Sequence, residues 1–175
     1  MSEYIDEQED EALVRRARRG EAAAFVQLSM RWWTPLYRIG WYLLGSKSGA
    51  AQIAEATLLQ ALRSSGSLAT GVPLRIFLLQ LAVRLAMKRR PSSSRALEHQ
   101  TEAEGLPQAL KRVDDADRAA FVLREVERLS PEEAAAVLCT SPEDIRARTH
   151  RVYLFLMGFL GQTTPELDFS RSRTI

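Results

Sequence analysis

Ser130 to Tyr153 reads SPEEAAAVLCTSPEDIRARTHRVY, and the fold is decided in these residues. Two helix starts follow each other closely. Ser130, Pro131 and Glu133 form a capping box: the hydroxyl and the carboxylate satisfy backbone N–H groups that a helix start leaves unpaired. Ser141, Pro142 and Asp144 repeat the pattern, with a shorter carboxylate that still favours the positive end of the helix dipole. Between the two starts there is room for only about two turns of helix and a tight turn. The spacing predicts a helix-turn-helix.

The two helices differ in character. Ala134, Ala135, Ala136, Val137 and Leu138 make the first small and apolar, so that another backbone can approach it. The second carries Arg146, Arg148, His150 and Arg151. Helical geometry sets Ile145, Val152 and Leu156 on one inward face. Arg146, Ala147 and His150 lie opposite, with Glu143 beside them, and Arg148 lies nearer the inward face. Such a helix can enter a major groove and reach phosphates or guanine edges. An ordinary solvated basic face has the same spacing, and spacing alone leaves both readings open.

The rest of the chain bounds the possibilities. Its 175 residues suit one or two small domains, and the net charge is only +2. The lone cysteine, Cys139, has no partner within the chain, which fits a reducing cytoplasm. No leader-like segment opens the chain, and no uncharged apolar run approaches the roughly 18 residues of a membrane span. No membrane insertion is therefore expected. His150 has no second His or Cys at ligand spacing, so no metal is expected. No Gly-rich phosphate loop or catalytic constellation appears, which argues against an enzyme and against a cofactor.

Alternating strand patterns are absent, so the fold is expected to be all-α, two small helical bundles on a flexible linker. Residues 1–10 are an acidic, frayed start. Residues 11–90 form the first domain. In it, helices run from Glu11 to Arg19, Glu21 to Trp33, Leu36 to Leu44, Gly49 to Arg63 and Leu74 to Arg90. Gly20 and Gly45 close two of them, and Pro35 separates the second from the third. Ile53, Ala56, Leu59 and Leu62 are expected to face the core. Ser64 to Val72, SSGSLATGV, has the composition of a loop. Residues 91–105 are the linker, Ser-rich and polar, with few contacts expected across it. Residues 106–161 form the second domain, and 162–175 a polar tail. Trp32, Trp33, Trp41, Tyr37 and Tyr42 fit core and rim positions better than base stacking.

Leu106 to Leu156 resembles region 4 of the extracytoplasmic-function group of bacterial RNA polymerase sigma factors. Leu129, Ser130, Glu133, Ala135, Leu138, Ile145, Arg146, Arg148, His150 and Arg151 follow that pattern in order, after a helix carrying Asp117, Arg118, Phe121, Leu123, Arg124 and Glu125. Glu11 to Gly45 is similar to the opening of region 2. Leu13, Val14, Ala17, Gly20, Ala24, Phe25, Leu28, Pro35, Leu36, Tyr37, Leu44 and Gly45 carry that likeness. Together the two cover about Asp10 to Gly161.

The resemblance implies an alternative sigma factor that binds core RNA polymerase and recognises and helps open promoter DNA, under the control of an anti-sigma factor. Arg146, Arg148, His150 and Arg151 would meet the upstream promoter element. Arg84, Lys88, Arg89 and Arg90 would meet the melted element, although a basic helix end also complements the helix dipole. Gln52 and Glu55 would contact core polymerase, and the Ser64 to Val72 loop would pocket a flipped-out base of the melted strand. Several positions depart from the family. Cys139 stands where glycine is usual. Glu143 and Asp144 put carboxylates at the front of the recognition helix, where they repel phosphate. Gly49, Ala50, Gln52, Glu55 and Leu58 replace a pattern richer in Asp and Gln, and Arg84 replaces Asn. These losses keep a second reading open: a sigma-like decoy that binds an anti-sigma factor without driving transcription. A DNA-binding regulator that works without polymerase is a third.

Overall fold

The computed structural model describes residues 7–64, 72–89 and 105–163. Among them there are helices and no strands, as the sequence led us to expect. The first half comprises α1 (Glu7–Arg18), α2 (Ala22–Leu44), α3 (Lys47–Arg63) and α4 (Leu74–Arg89). The second comprises α5 (Leu106–Leu110), α6 (Asp115–Phe121), α7 (Pro131–Leu138) and α8 (Pro142–Thr163). A π-helical turn, Val122–Val126, continues α6.

Acidic residues at the start of α1 are tied down rather than frayed. Asp10 is 1% exposed and accepts from the indole N–H of Trp32 at 2.9 Å and from Arg31 at 2.8 Å. A buried carboxylate with two such donors is satisfied, and it pins α1 to α2. Helix α1 therefore begins at Glu7, ahead of the expected Glu11.

Helix α2 corrects one expectation: it runs unbroken through Pro35. Proline in a helix interior removes a donor and crowds the preceding turn, at about 3 kcal/mol. The packing face outweighs that cost. Leu28, Trp32, Leu36, Ile39 and Leu43 form one buried row on both sides of the proline. The helix ends at Gly45, whose φ of 65° lets its N–H return to the carbonyl of Trp41.

Helix α3 lies against α2 almost backbone to backbone. A Cβ on Gly40 would sit 2.7 Å from the Ala50 Cα and 3.2 Å from the Ile53 Cβ. This contact turns small residues of α3 inward. Its buried face is Ala50, Ile53, Ala54, Thr57, Leu58 and Ala61. Of the face expected from periodicity, only Ile53 is fully buried, and Leu59 is 37% exposed. Opposite Gly40 the inner face carries the small Ala50, because the two backbones leave no gap for a larger side chain there.

Helix α4 is buried on nearly every side. Leu74, Ile76, Leu78, Leu79, Leu81, Ala82, Val83 and Ala86 all lose their exposure. The first half covers one side of α4, and α7 of the second half packs on another.

The two halves thus share a core, which continues from Leu13 and Trp32 through Leu78 and Val83 to Leu110, Phe121 and Ile145. Polar contacts cross the junction as well. Arg118, 1% exposed, donates to the Leu43 carbonyl at the end of α2 and to the Val113 carbonyl in its own half. Glu127, just after the π-helical turn, accepts from Arg38 of α2 at 2.9 and 2.8 Å. Arg75 reaches Glu133 and the Glu127 carbonyl, and Gln80 reaches the Ala136 carbonyl. The contacts across the linker are many, not few. A Ser-rich linker composition speaks for the tether alone, not for the faces that it joins.

Candidate nucleic-acid interface

The helix-turn-helix forms as its start signals require. The Ser130 hydroxyl accepts from the Glu133 N–H at 3.1 Å, and the Glu133 carboxylate accepts from the Ser130 N–H at 2.7 Å. Two turns later α7 stops at Cys139, which adopts φ 53° and ψ 47°. That left-handed conformation explains why glycine suits the position; a residue with a Cβ pays roughly 1–2 kcal/mol for it. Helix α8 opens with the Ser141 hydroxyl accepting from the Asp144 N–H at 3.1 Å. Ile145 and Val152 are buried beneath α8, as expected, and Leu156 is half-buried. Thr149 is buried with them.

The charged side chains are less available than a helical projection suggests. Arg151 makes a two-pronged bond to Asp117 of α6, at 2.8 and 2.6 Å. Arg148 is half-buried; it bonds Asp144 at 2.6 Å and lies 3.9 Å from Asp117. Arg151 therefore braces α8 against α6, while the short bond of Arg148 stays within α8. Arg146 and His150 point outward. Arg146 donates to Glu132 of α7 at 3.0 Å and to Glu143 at 3.5 Å. Spacing along one helix could not reveal Asp117 and Glu132, because they approach from other elements.

Asp144 has its carboxyl held below the usual carboxylate range, first by the Thr140 hydroxyl and then by Arg148. Glu21 is held down by its bonds to Arg16 across the turn after α1. A carboxylate that ionises more readily when folded stabilises the fold above its unfolded pKa. That stability disappears as the pH falls through the lower folded value. Thermal melts should therefore hold steady down to about pH 5 and fall below about pH 4, where free carboxylates protonate. Asp144→Asn should make the fall shallower; an identical pH profile for this variant would count against the assignment.

In the first half, Arg84, Lys88 and Arg89 are exposed along the last turns of α4. Arg90 lies outside the described residues, as do residues 65–71 of the proposed capture loop. Arg89 donates to the side-chain oxygen of Gln52 on α3 at 3.2 Å, so two residues assigned to different partners touch each other. Glu55 is exposed one turn further along α3. A groove between α4 and α7 is lined by Gln80, Val83, Arg84, Met87 and Lys88 on one side and Val137, Leu138 and Cys139 on the other. It places the basic end of α4 beside the turn of the helix-turn-helix. Among the described residues no cluster of His, Cys, Asp and Glu is arranged to hold a metal ion. No described helix is long and apolar enough to cross a membrane.

No family model and no curated protein matches the sequence. Solved structures do match the fold. One is that of CnrH in complex with the cytosolic domain of CnrY, with a TM-score of 0.72 at 21% identity over 89% of this chain and 99% of that one. Another is the sigma factor RpoE in complex with the anti-sigma factor NepR from Bartonella quintana, with a TM-score of 0.66 at 19% identity over 78% and 96% of the two chains. The chain has a sigma-factor fold. The sigma-like stretches of the sequence fall in α1–α2 and in α5–α8, which are separate parts of that fold. The matched chains are covered over 99% and 96% of their own length.

Proposed function

We propose that this chain is an alternative sigma factor of the extracytoplasmic-function group. It binds core RNA polymerase mainly through the first half and recognises a promoter with both halves. The observation that carries the reading is a helix-turn-helix with outward Arg146 and His150, set in a chain with a sigma-factor fold. Arg84, Lys88 and Arg89 would contact the opened strand, together with Arg90. Opening is driven by binding to a splayed-out strand, by the same energetics as base flipping, with no covalent step and no cofactor. The site of action is the cytoplasm. RpoE was solved with an anti-sigma factor, and we propose a partner of that kind here.

Run-off transcription with core polymerase, on the promoter of the chain's own operon, tests the reading. A defined transcript that depends on the chain is the expected result, and no transcript from any candidate promoter would overturn it. A second reading has a specific motive. The neutral Gln52 is engaged by Arg89, which leaves Glu55 as the acidic side chain of the pair assigned to polymerase. A chain that fails to co-purify with core polymerase yet captures an anti-sigma factor would be a decoy.

A further inference from the structure

The front of α8 holds a three-residue cluster that bears on how the chain discriminates among DNA sequences. Arg146 is 54% exposed and is held between two carboxylates, Glu132 from α7 at 3.0 Å and Glu143 from its own helix at 3.5 Å. Both carboxylates are more exposed than the arginine, at 63% and 78%. Each is also fixed at a helix start. Glu132 and Glu143 occupy the first turns of α7 and α8, where the dipole favours a negative charge. The carboxyl of Glu132 is kept ionised by its own backbone N–H, by the Ser130 hydroxyl and by Arg146.

We propose that Glu132 and Glu143 clamp Arg146 so that α8 rejects random duplex DNA and accepts a site presenting a guanine edge to this arginine. The inference rests on α8 facing DNA, as proposed above. A phosphate that meets the remaining donors of Arg146 lies beside two carboxylates and is repelled by both. The clamp thus cancels the sequence-independent attraction that usually dominates binding to duplex DNA. A guanine edge is neutral and accepts two parallel bonds from one guanidinium. Arg146 has five N–H donors, and two of its terminal nitrogens are already oriented by the carboxylates. The remaining donors can meet a base edge without the full loss of the clamp. Arg151 differs in being tied by two bonds to one carboxylate of α6, Asp117, and Arg148 in being half-buried against Asp144 of its own helix.

The test uses the full chain and two fluorescent duplexes, one of random sequence and one selected from a randomised pool by the chain itself. Titrations compare the wild type, Glu132→Gln with Glu143→Gln, Arg146→Ala, and the triple variant. Circular dichroism establishes that each is folded. The amide pair should bind random duplex about three- to tenfold more tightly, the scale set by releasing two exposed ion pairs. Its dependence on salt should steepen, and its preference for the selected duplex should shrink. The triple variant should lose that gain. An equal gain with Arg146 removed means that the carboxylates act by general repulsion, and the clamp is wrong. An unchanged affinity for the amide pair also overturns it. Both of those results leave the DNA reading intact provided that Arg146→Ala weakens binding to the selected duplex. If Arg146→Ala changes neither affinity, α8 does not face DNA, and the interface itself is misplaced.

Discussion

Replacing Arg118 by Met is expected to destabilise the chain by about 2–4 kcal/mol, the combined effect of one buried and two half-buried carbonyls losing a charged donor, at roughly 1–3 kcal/mol for a fully buried one and less for the others. The carbonyls are those of Leu43, Lys111 and Val113, and the first belongs to the other half. Methionine keeps most of the volume of the side chain, so the loss reports hydrogen bonding and not a cavity. Urea unfolding followed by circular dichroism measures it. Arg118→Lys should recover only part of the loss, because one ammonium group cannot serve carbonyls that a planar fork reaches together. A loss below about 0.5 kcal/mol would fall within the range of an ordinary surface substitution and would remove Arg118 from the junction.

Glu55→Arg is expected to abolish co-purification with core polymerase, on the function proposed above. Glu55 is exposed on α3, and its neighbour Gln52 is neutral and engaged by Arg89. The negative charge that α3 offers a basic partner therefore rests on Glu55. Reversing it turns attraction into like-charge juxtaposition, which costs several kcal/mol at an interface. Gln52→Asp restores an acid one turn earlier on the same exposed helix. This variant should bind equally well or more tightly. Transcription at the wild-type level from Glu55→Arg would show that α3 is not the contact helix.

The parts legible in the sequence are those specified locally. Ser130 with Glu133, and Ser141 with Asp144, form caps from residues three apart, and these caps are found in the structure. Gly45 ends α2 for an equally local reason. What the sequence hid depends on neighbours distant along the chain. Pro35 is tolerated because Trp32 and Leu36 have a core on both sides of it. The close approach at Gly40 of α2 helps to select which face of α3 is buried, and that contact lies outside α3 itself. In the candidate site, the outward placement of Arg146 and His150 followed from helical geometry. The capture of Arg151 by a residue 34 positions away did not.

The shared core has a consequence for any partner. Because α4 is covered by α7, a ligand that needs the halves apart must first separate them. Its apparent affinity equals its intrinsic affinity multiplied by the open fraction. Weakening the Arg38–Glu127 link raises that fraction without touching any residue assigned to DNA or polymerase. A ligand that prefers the packed arrangement responds in the opposite sense. One junction thus biases two classes of partner in opposite directions, and its strength decides how the chain divides its time between them.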